Sequence, residues 1–371
     1  MHITIAPDSF KGTFTAHEIA AMIRDALHSS FHTTLLPMAD GGEGTAEILA
    51  NHFHAIPHSV KVLGPLQEPL SASFYFDAQH QRAFLDMASA SGITHCRTLQ
   101  PHLATTYGTG ELLKHAVALG AKEIVLGIGG SATIDGGAGF LMALGAKLLD
   151  AEGNSIPLGH HGLHRLETLD LLPAIQWLAD ASVTLTIPTD VTNPLLGARG
   201  AVSVFGPQKG VPISEFPDFE FGLNHFAEKL ESAVGQSLRD CDGTGAAGGL
   251  GFALLALGAR LVSGSEFVAE VIGLIESIAQ SDLVITGEGK ADATSLSGKV
   301  TGYVISLSLK KKKPVLLIAG TLDQEIERQL PNESRVTIRG LFSTPPMSLT
   351  AAKSETPTRL RAAIQTFFSE K

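Results

Sequence analysis

The residues of this chain that can do chemistry gather in turns rich in glycine. The stretch Ile124-Val125-Leu126-Gly127-Ile128-Gly129-Gly130-Ser131-Ala132-Thr133-Ile134-Asp135-Gly136-Gly137-Ala138-Gly139 runs from a β-branched segment into glycines and hydroxyls, and then into the helical pattern that begins at Phe140. Glycines let backbone N–H groups approach an oxyanion. Ser131 and Thr133 add hydroxyl donors, and the helix that follows offers its positive end. The turn suits a phosphate or a carboxylate, or else it is a tight βα turn whose glycines serve only positive φ. Repetition favours the first reading. Ser9 and Lys11 lie in Pro7-Asp8-Ser9-Phe10-Lys11-Gly12, and two acids lie in Asp40-Gly41-Gly42-Glu43-Gly44. Asp190 sits in the proline-bounded turn 188–194, and residues 287–299 crowd Glu288, Lys290, Asp292, Thr294, Ser295, Ser297 and Lys299 together. Each has a plain alternative: a solvated loop lysine for Lys11, an N-cap for Asp40 and an Asx turn for Asp190.

These turns need elements to position them. Residues 3 to 6 form an apolar strand, and the helix after it begins with a T-x-x-E capping box, Thr15 and Glu18, between staple residues Phe14 and Ile19. Ser9 and Lys11 thus fall at a strand's C-terminal edge beside a helix start, where open α/β sheets bind ligands. Residues 34–50 repeat the design. From about residue 60 the grain changes to closely spaced strands, 60–63, 72–76 and 82–86, without helices between them, which predicts an antiparallel patch and the entry into an inserted domain. Further strands are expected at 183–187, 282–286, 314–319 and 336–338, with a helix from about Ser297. Gly243-Thr244-Gly245-Ala246-Ala247-Gly248-Gly249 matches G-x-G-x-x-G in letters, but no strand precedes it, so it is not a dinucleotide fingerprint. His160, His161 and His164 read as a surface loop, because Gly159 and Gly162 interrupt any helix that would align them on a metal. Lys310 to Lys313 read as a solvated helix end.

Composition narrows the class. A chain of 371 residues with 44% hydrophobic and 17% charged residues has room for about two domains with substantial cores. With 27 Lys and Arg against 37 Asp and Glu, the net charge of −10 has the wrong sign for neutralising a nucleic-acid backbone. Cys96 and Cys241 lack metal-ligand spacing and read as small buried hydrophobes in a reducing compartment. No apolar run approaches the ~18 residues of a membrane span, and no secretory signal is visible at the N-terminus.

Seven separated motifs carry a resemblance. They are Ala6-Pro7-Asp8-Ser9-Phe10-Lys11-Gly12, Pro37-Met38-Ala39-Asp40-Gly41-Gly42-Glu43-Gly44, Thr106-Tyr107-Gly108-Thr109-Gly110-Glu111, Gly127-Ile128-Gly129-Gly130-Ser131-Ala132-Thr133, Asp190-Val191-Thr192-Asn193-Pro194-Leu195, Phe205-Gly206-Pro207-Gln208-Lys209-Gly210 and Ile285-Thr286-Gly287-Glu288-Gly289. Together, and in this order, they resemble the bacterial glycerate kinase type I family from the first strand to about residue 345. The resemblance implies ATP-dependent phosphorylation of D-glycerate with Mg2+ in the cytoplasm, by a monomer or homodimer without nucleic-acid or membrane partners. It implies an α/β fold: a flavodoxin-like three-layer domain of residues 1–60 and 265–371, an inserted α/β domain of residues 61–264 with a mixed, partly antiparallel sheet, and an active site in the cleft between them. Departures from the family pattern are Ile134 for Asn, Lys290 for Arg and Thr294 for Gln. They bear on substrate preference more than on reaction type.

Phosphoryl transfer asks the protein to neutralise and align phosphates and to orient a hydroxyl. Under the resemblance, Ser9 and Lys11 clamp the glycerate carboxylate, with Asp40 and Asn193 as further substrate contacts. Gly129, Gly130, Ser131 and Thr133, with Gly287, Gly289 and Lys299, hold nucleotide phosphates. Lys290 or Lys299 balances charge on the transferring group, Asp190 is the expected base, and Glu288 and Asp292 are the magnesium partners. The expected product is 2-phosphoglycerate ahead of 3-phosphoglycerate. Two other readings use the same carboxylate clamp: a nicotinamide-dependent 2-hydroxy-acid dehydrogenase and a non-catalytic hydroxy-acid binding protein.

Overall fold

In the computed structural model the chain divides into two compact units, one made of Met1–Asp40 with Ser265–Lys371 and the other of Gly41–Gly264. The structure describes residues 1–296, 299–323, 326 and 335–370, with only the backbone at 293 and 294. The expected helix start near Ser297 lies outside the described residues, and the helix is seen over Val300–Lys310. The first switch between units falls at 40/41 rather than at 60/61, because the Thr45–Phe53 helix packs on strands of the inserted unit.

In chain order the described strands are β1 His2–Ile5, β2 His32–Leu35, β3 Ile56–Leu63, β4 Pro69–Asp77, β5 Arg82–Asp86, β6 Glu123–Gly127, β7 Lys147–Leu149, β8 Thr168–Asp170, β9 Thr184–Pro188, β10 Arg260–Val262, β11 Leu283–Ala291, β12 Val315–Leu322 and β13 Val336–Phe342. The split unit holds a fully parallel sheet in the order β13-β12-β11-β1-β2. Renumbered within the unit, this is the flavodoxin-like order 2-1-3-4-5, whose strand order reverses between β1 and β11. One face buries Ile3, Ile5, Leu283, Ile285, Leu316 and Ile318 against Ile19 and Ile23 of the Ala16–Ala26 helix and Leu360 and Ile364 of the Leu349–Ser369 helix. Each such side chain contributes about 1.5–3 kcal/mol when fully buried. The opposite face carries the Leu274–Gln280 helix, tied to β1 by a 2.7 Å hydrogen bond between the Thr4 and Ser277 hydroxyls.

The inserted unit has a six-stranded sheet, β10-β9-β6-β5-β4-β3, in which β5, β6, β9 and β10 run parallel while β3 and β4 form the expected antiparallel patch. Its core contains Phe74, Phe84, Phe140, Phe219, Phe226 and Phe252. Two sequence expectations fail here. Cys96 is half-buried and Cys241 exposed, because both lie in turns outside the core. His160 to Leu163 form one helical turn, with His160 fully buried, because Phe219 of the Phe216–Val234 helix stacks on its ring at 4.0 Å.

The capping box is formed as expected: Glu18 N donates to Thr15 Oγ1 at 3.2 Å and Thr15 N donates to Glu18 Oε2 at 2.8 Å. It fixes where the turn holding Ser9 and Lys11 gives way to helix. Thr15→Ala is expected to destabilise the split unit by about 1 kcal/mol, read as a lower urea midpoint for that unit.

Candidate functional site

Strand ends of each unit gather their own set of chemically capable residues. In the split unit they lie at the reversal point between β1 and β11. The β1 ladder continues past the strand, with Asp8 N donating to Gly287 O at 2.8 Å, and the turn at 10–14 closes through Phe10 N to Phe14 O at 2.9 Å. Asp8, Ser9, Asp40 and Glu288 are partly buried there, while Lys11, Lys290 and Lys299 are exposed. Ser9 N donates to Asp8 Oδ1 at 2.6 Å. Burial, then the Asp40 carboxylate, push the Asp8 carboxyl up to about 7, although Lys11 opposes the shift. Glu288 is also held above the usual carboxylate range, first by burial, against the Thr301 and Ser295 hydroxyls and Lys299. Its Oε1 is buried with no hydrogen-bond partner among the described residues. Asp292 pairs with Lys290 at 3.6 Å.

An orphaned carboxylate oxygen among other carboxyl groups is a donor set for a hard cation, which prefers oxygen ligands. Glu288 with Asp292 therefore fits the expected Mg2+. Gly287 does not present itself to a ligand: a Cβ there would lie 2.3 Å from Ile318 O on β12, so that glycine serves the sheet. Gly289 lets β11 pass the turn after β1, since a Cβ would lie 3.3 Å from Phe10 Cα.

In the inserted unit, turns distant in sequence meet at the C-terminal edge of the parallel strands. A Cβ on Gly41 would lie 2.0 Å from Pro188 O, one on Gly129 2.5 Å from Gly42 Cα, and one on Gly248 1.9 Å from Thr133 O. Ile128 N donates to Gly41 O at 3.1 Å, Gly136 N to Gly248 O at 3.0 Å, and Gly245 N to Asn193 O at 2.9 Å. Backbone therefore lies on backbone, and the turns at 41–44, 127–137, 189–194 and 243–249 become one surface. At its apex Gly130 is exposed and takes φ +72°. Among the described residues, the N–H groups of Gly129, Gly130 and Ser131 have no backbone acceptor, and successive free amides of this kind are able to receive an anion.

Beneath that apex is a cation to which sequence reasoning gave no role. Lys209 is 3% exposed, and its Nζ donates to Ser131 Oγ at 2.6 Å and to Thr133 O at 2.8 Å. Because Ser131 Oγ accepts from Lys209, its own proton is left to donate. Burial pulls the Lys209 pKa down to about 7, opposed by the Asp135 carboxylate. Asp135 is itself fully buried and accepts from Thr106 N at 2.8 Å, Thr106 Oγ1 at 2.9 Å, Thr105 Oγ1 at 3.3 Å, Gly137 N at 3.2 Å and Gly139 N at 3.3 Å. The signal for Lys209 in the sequence was its motif, 205–210, read only as part of a resemblance.

Other expected residues turn elsewhere. Thr133 is fully buried and its hydroxyl points to Ala247 O at 3.5 Å, so it braces the turn. Asp190 Oδ1 accepts from Ser263 Oγ at 3.0 Å and Gly264 N at 2.8 Å, and Asn193 Nδ2 donates to Arg199 O at 2.7 Å. Asp86, at the end of β5, holds the 41–44 turn by accepting from Gly44 N at 2.8 Å and Ala46 N at 3.1 Å. Burial pushes its carboxyl up to about 7 against those two donors, with Glu43 and Glu47 adding to the rise.

Comparison with known proteins gives a consistent result. Residues 3–370 match the family model described as the glycerate kinase family. The chain is 42% identical over 332 residues to a protein of Escherichia coli (strain K12) named glycerate 2-kinase, covering 88% of this chain and 87% of that one. It is 40% identical over 331 residues to a glycerate kinase of Bacillus subtilis (strain 168), covering 88% and 86%. A solved structure from Salmonella typhimurium LT2, titled as a glycerate kinase 2, aligns with a TM-score of 0.80 at 35% identity over 100% of this chain and 99% of that one.

The raised pKa of Asp86 has a definite sign. Between about 4 and about 7 the folded state holds a proton that the unfolded chain releases, so this group's contribution to stability is present below 4 and lost as pH rises to 7. The stability of the wild type relative to Asp86→Asn is expected to fall across that window by something on the order of 1–3 kcal/mol, measured by urea unfolding at stepped pH.

Proposed function

We propose, from the premise that the chain belongs to the glycerate kinase family, that it transfers the γ-phosphoryl group of ATP to a hydroxyl of D-glycerate. The observation that carries this reading is that each unit, taken by itself, holds a donor set, and the two sets are unlike. One is an amide concavity backed by a buried lysine, suited to phosphates; the other is a carboxyl and lysine cluster, suited to a hydroxy acid. A dehydrogenase is not favoured, because the glycine run at 243–249 follows no strand and opens onto the Leu250–Ala256 helix. The relatives named as kinases favour turnover over non-catalytic binding.

In this reading Gly129, Gly130 and Ser131 receive nucleotide phosphates through their N–H groups and the Ser131 hydroxyl. Lys209 supplies positive charge from below without competing for solvent. Lys11 and Ser9 bind the glycerate carboxylate, with Asp40 limiting the space beside them. Asp8 takes the proton of the attacking hydroxyl: its Oδ1 is oriented by Ser9 N, and a pKa near 7 suits a general base at neutral pH. Asp190, the base expected from the sequence, is assigned instead to holding the end of β9 to Ser263 and Gly264, and Asn193 to bracing the same turn. Lys290 and Lys299, both exposed, balance charge on the transferring group. Glu288 and Asp292 would hold magnesium, which when bound neutralises phosphate oxygens. We assign the chain 2-phosphoglycerate as product, the organic-acid chemistry of glycerate catabolism in the cytoplasm as its setting, and a single chain or a pair of chains as its working form.

Phosphorus NMR of the product formed from ATP and D-glycerate tests the activity and the regiochemistry together, and a 3-phosphoglycerate signal would remove the positional assignment. Asp8→Asn is expected to lower kcat by about 10²–10⁴ with ATP binding retained and an unchanged circular-dichroism spectrum. A folded Asp8→Asn protein turning over at the wild-type rate would return the role of base to another carboxylate.

A further inference from the structure

We propose that the inserted unit carries a transition-metal site of the zinc class, built from His102, His160 and Asp218 and sharing no residue with the phosphate-binding turn. One ligand-capable atom from each of these residues lies within 4.8 Å of the other two. They come from three separate segments: the turn leading to Thr105 and Thr106, the helical turn His160–Leu163, and the first turn of the Phe216–Val234 helix.

His160 is the strongest part of the case. Its Nε2 lies 3.0 Å from Phe219 O, and a carbonyl can only accept, so Nε2 carries the proton and Nδ1 is a bare lone pair. That Nδ1 is buried and has no hydrogen-bond partner among the described residues, an arrangement that costs stability unless something fills it. A ring that donates one N–H to a backbone carbonyl is how metal-ligating imidazoles are oriented.

The partners are equally well supported. His102 Nε2 donates to Glu215 Oε2 at 2.7 Å, which fixes that ring. His164 Nε2 lies 3.5 Å from Asp218 Oδ2 on the outer side of the group. Gly222 lets the Phe216–Val234 helix approach the two rings, since a Cβ there would lie 2.7 Å from His160 Nε2 and 3.1 Å from His164 Nε2. Imidazoles with one carboxylate select zinc-class ions, whereas magnesium asks for oxygens alone. A tetrahedral zinc needs its donors about 3.3 Å apart. The side chain of Asp218, 56% exposed, has room to rotate inward. The ion would clip the three segments together, and His102 precedes by only a few residues the threonines that hold Asp135.

The test uses the full chain, stripped with a chelator and titrated with Zn2+ alone by calorimetry, without nucleotide. One tight equivalent is expected, together with a rise in Tm and retention of the ion against excess Mg2+. Asp218→Asn and His102→Gln, both at accessible positions, are each expected to weaken that equivalent at least about tenfold. Co2+ substitution should give an intense visible absorption in the wild type and lose it in both variants. His160→Gln reports the same loss where it folds, and the two accessible variants carry the conclusion where it does not. Absence of a tight equivalent, or an affinity unchanged in Asp218→Asn and His102→Gln, would overturn the site.

Discussion

Peptide backbones in the inserted unit touch one another where any side chain would hold them apart. Gly41 against the Pro188 carbonyl, Gly129 against Gly42 and Gly248 against the Thr133 carbonyl leave no room even for a methyl group. These contacts turn separate strand ends into one surface and hold Gly129, Gly130 and Ser131 in a shape whose amides have nothing of the protein to bond. A buried hydrogen-bond donor without a partner is costly. The chain accepts such donors at an exposed apex, where solvent or an anion can satisfy them.

Charge is arranged below that surface with the same economy. Lys209 is enclosed, and its ammonium is held by one hydroxyl and one carbonyl, with Asp135 acting from a distance. Removing a charge from water is expensive unless something answers it. An arriving phosphate would answer it: the ion would raise the lysine's affinity for its proton, and the lysine would raise the site's affinity for the ion. In the split unit the logic is inverted. Burial and neighbouring carboxylates hold Asp8 and Glu288 toward their protonated forms, and a cation or a hydroxyl proton is what such groups take up. One unit thus holds an enclosed cation and the other a set of carboxyl groups raised above their usual range.

Much of this was legible from residue types. The capping box at Thr15 and Glu18 was read directly, because its partners are three residues apart and the hydrogen bonds are local. So were the antiparallel patch of β3, β4 and β5 and the absence of a dinucleotide fingerprint at 243–249, since strand alternation and its interruption are also local signals. The long-range features were not legible. Nothing near Lys209 in sequence says that it lies beneath Ser131, 78 positions away. Thr133 looks like Ser131 in a string of letters, yet one hydroxyl faces the apex and the other the Ala247 carbonyl. The glycines around His160 suggested a surface loop because the stacking ring, Phe219, arrives from a distant helix. Nothing in the sequence marks the Asp8 carboxyl, because its environment is made by burial and by Asp40 and Glu288, whose approach is decided by the sheet order.

The most direct measurement is the affinity of Lys209→Met for ATP, by calorimetry on a folded variant whose Tm is not lowered. Methionine fills the lysine's volume without its charge, so the glycine contacts persist and only the buried cation is lost. Binding at least about tenfold weaker is expected, the scale of one charge-assisted hydrogen-bond network. Unchanged ATP affinity in that variant would contradict the claim that the apex and its lysine form the phosphate seat.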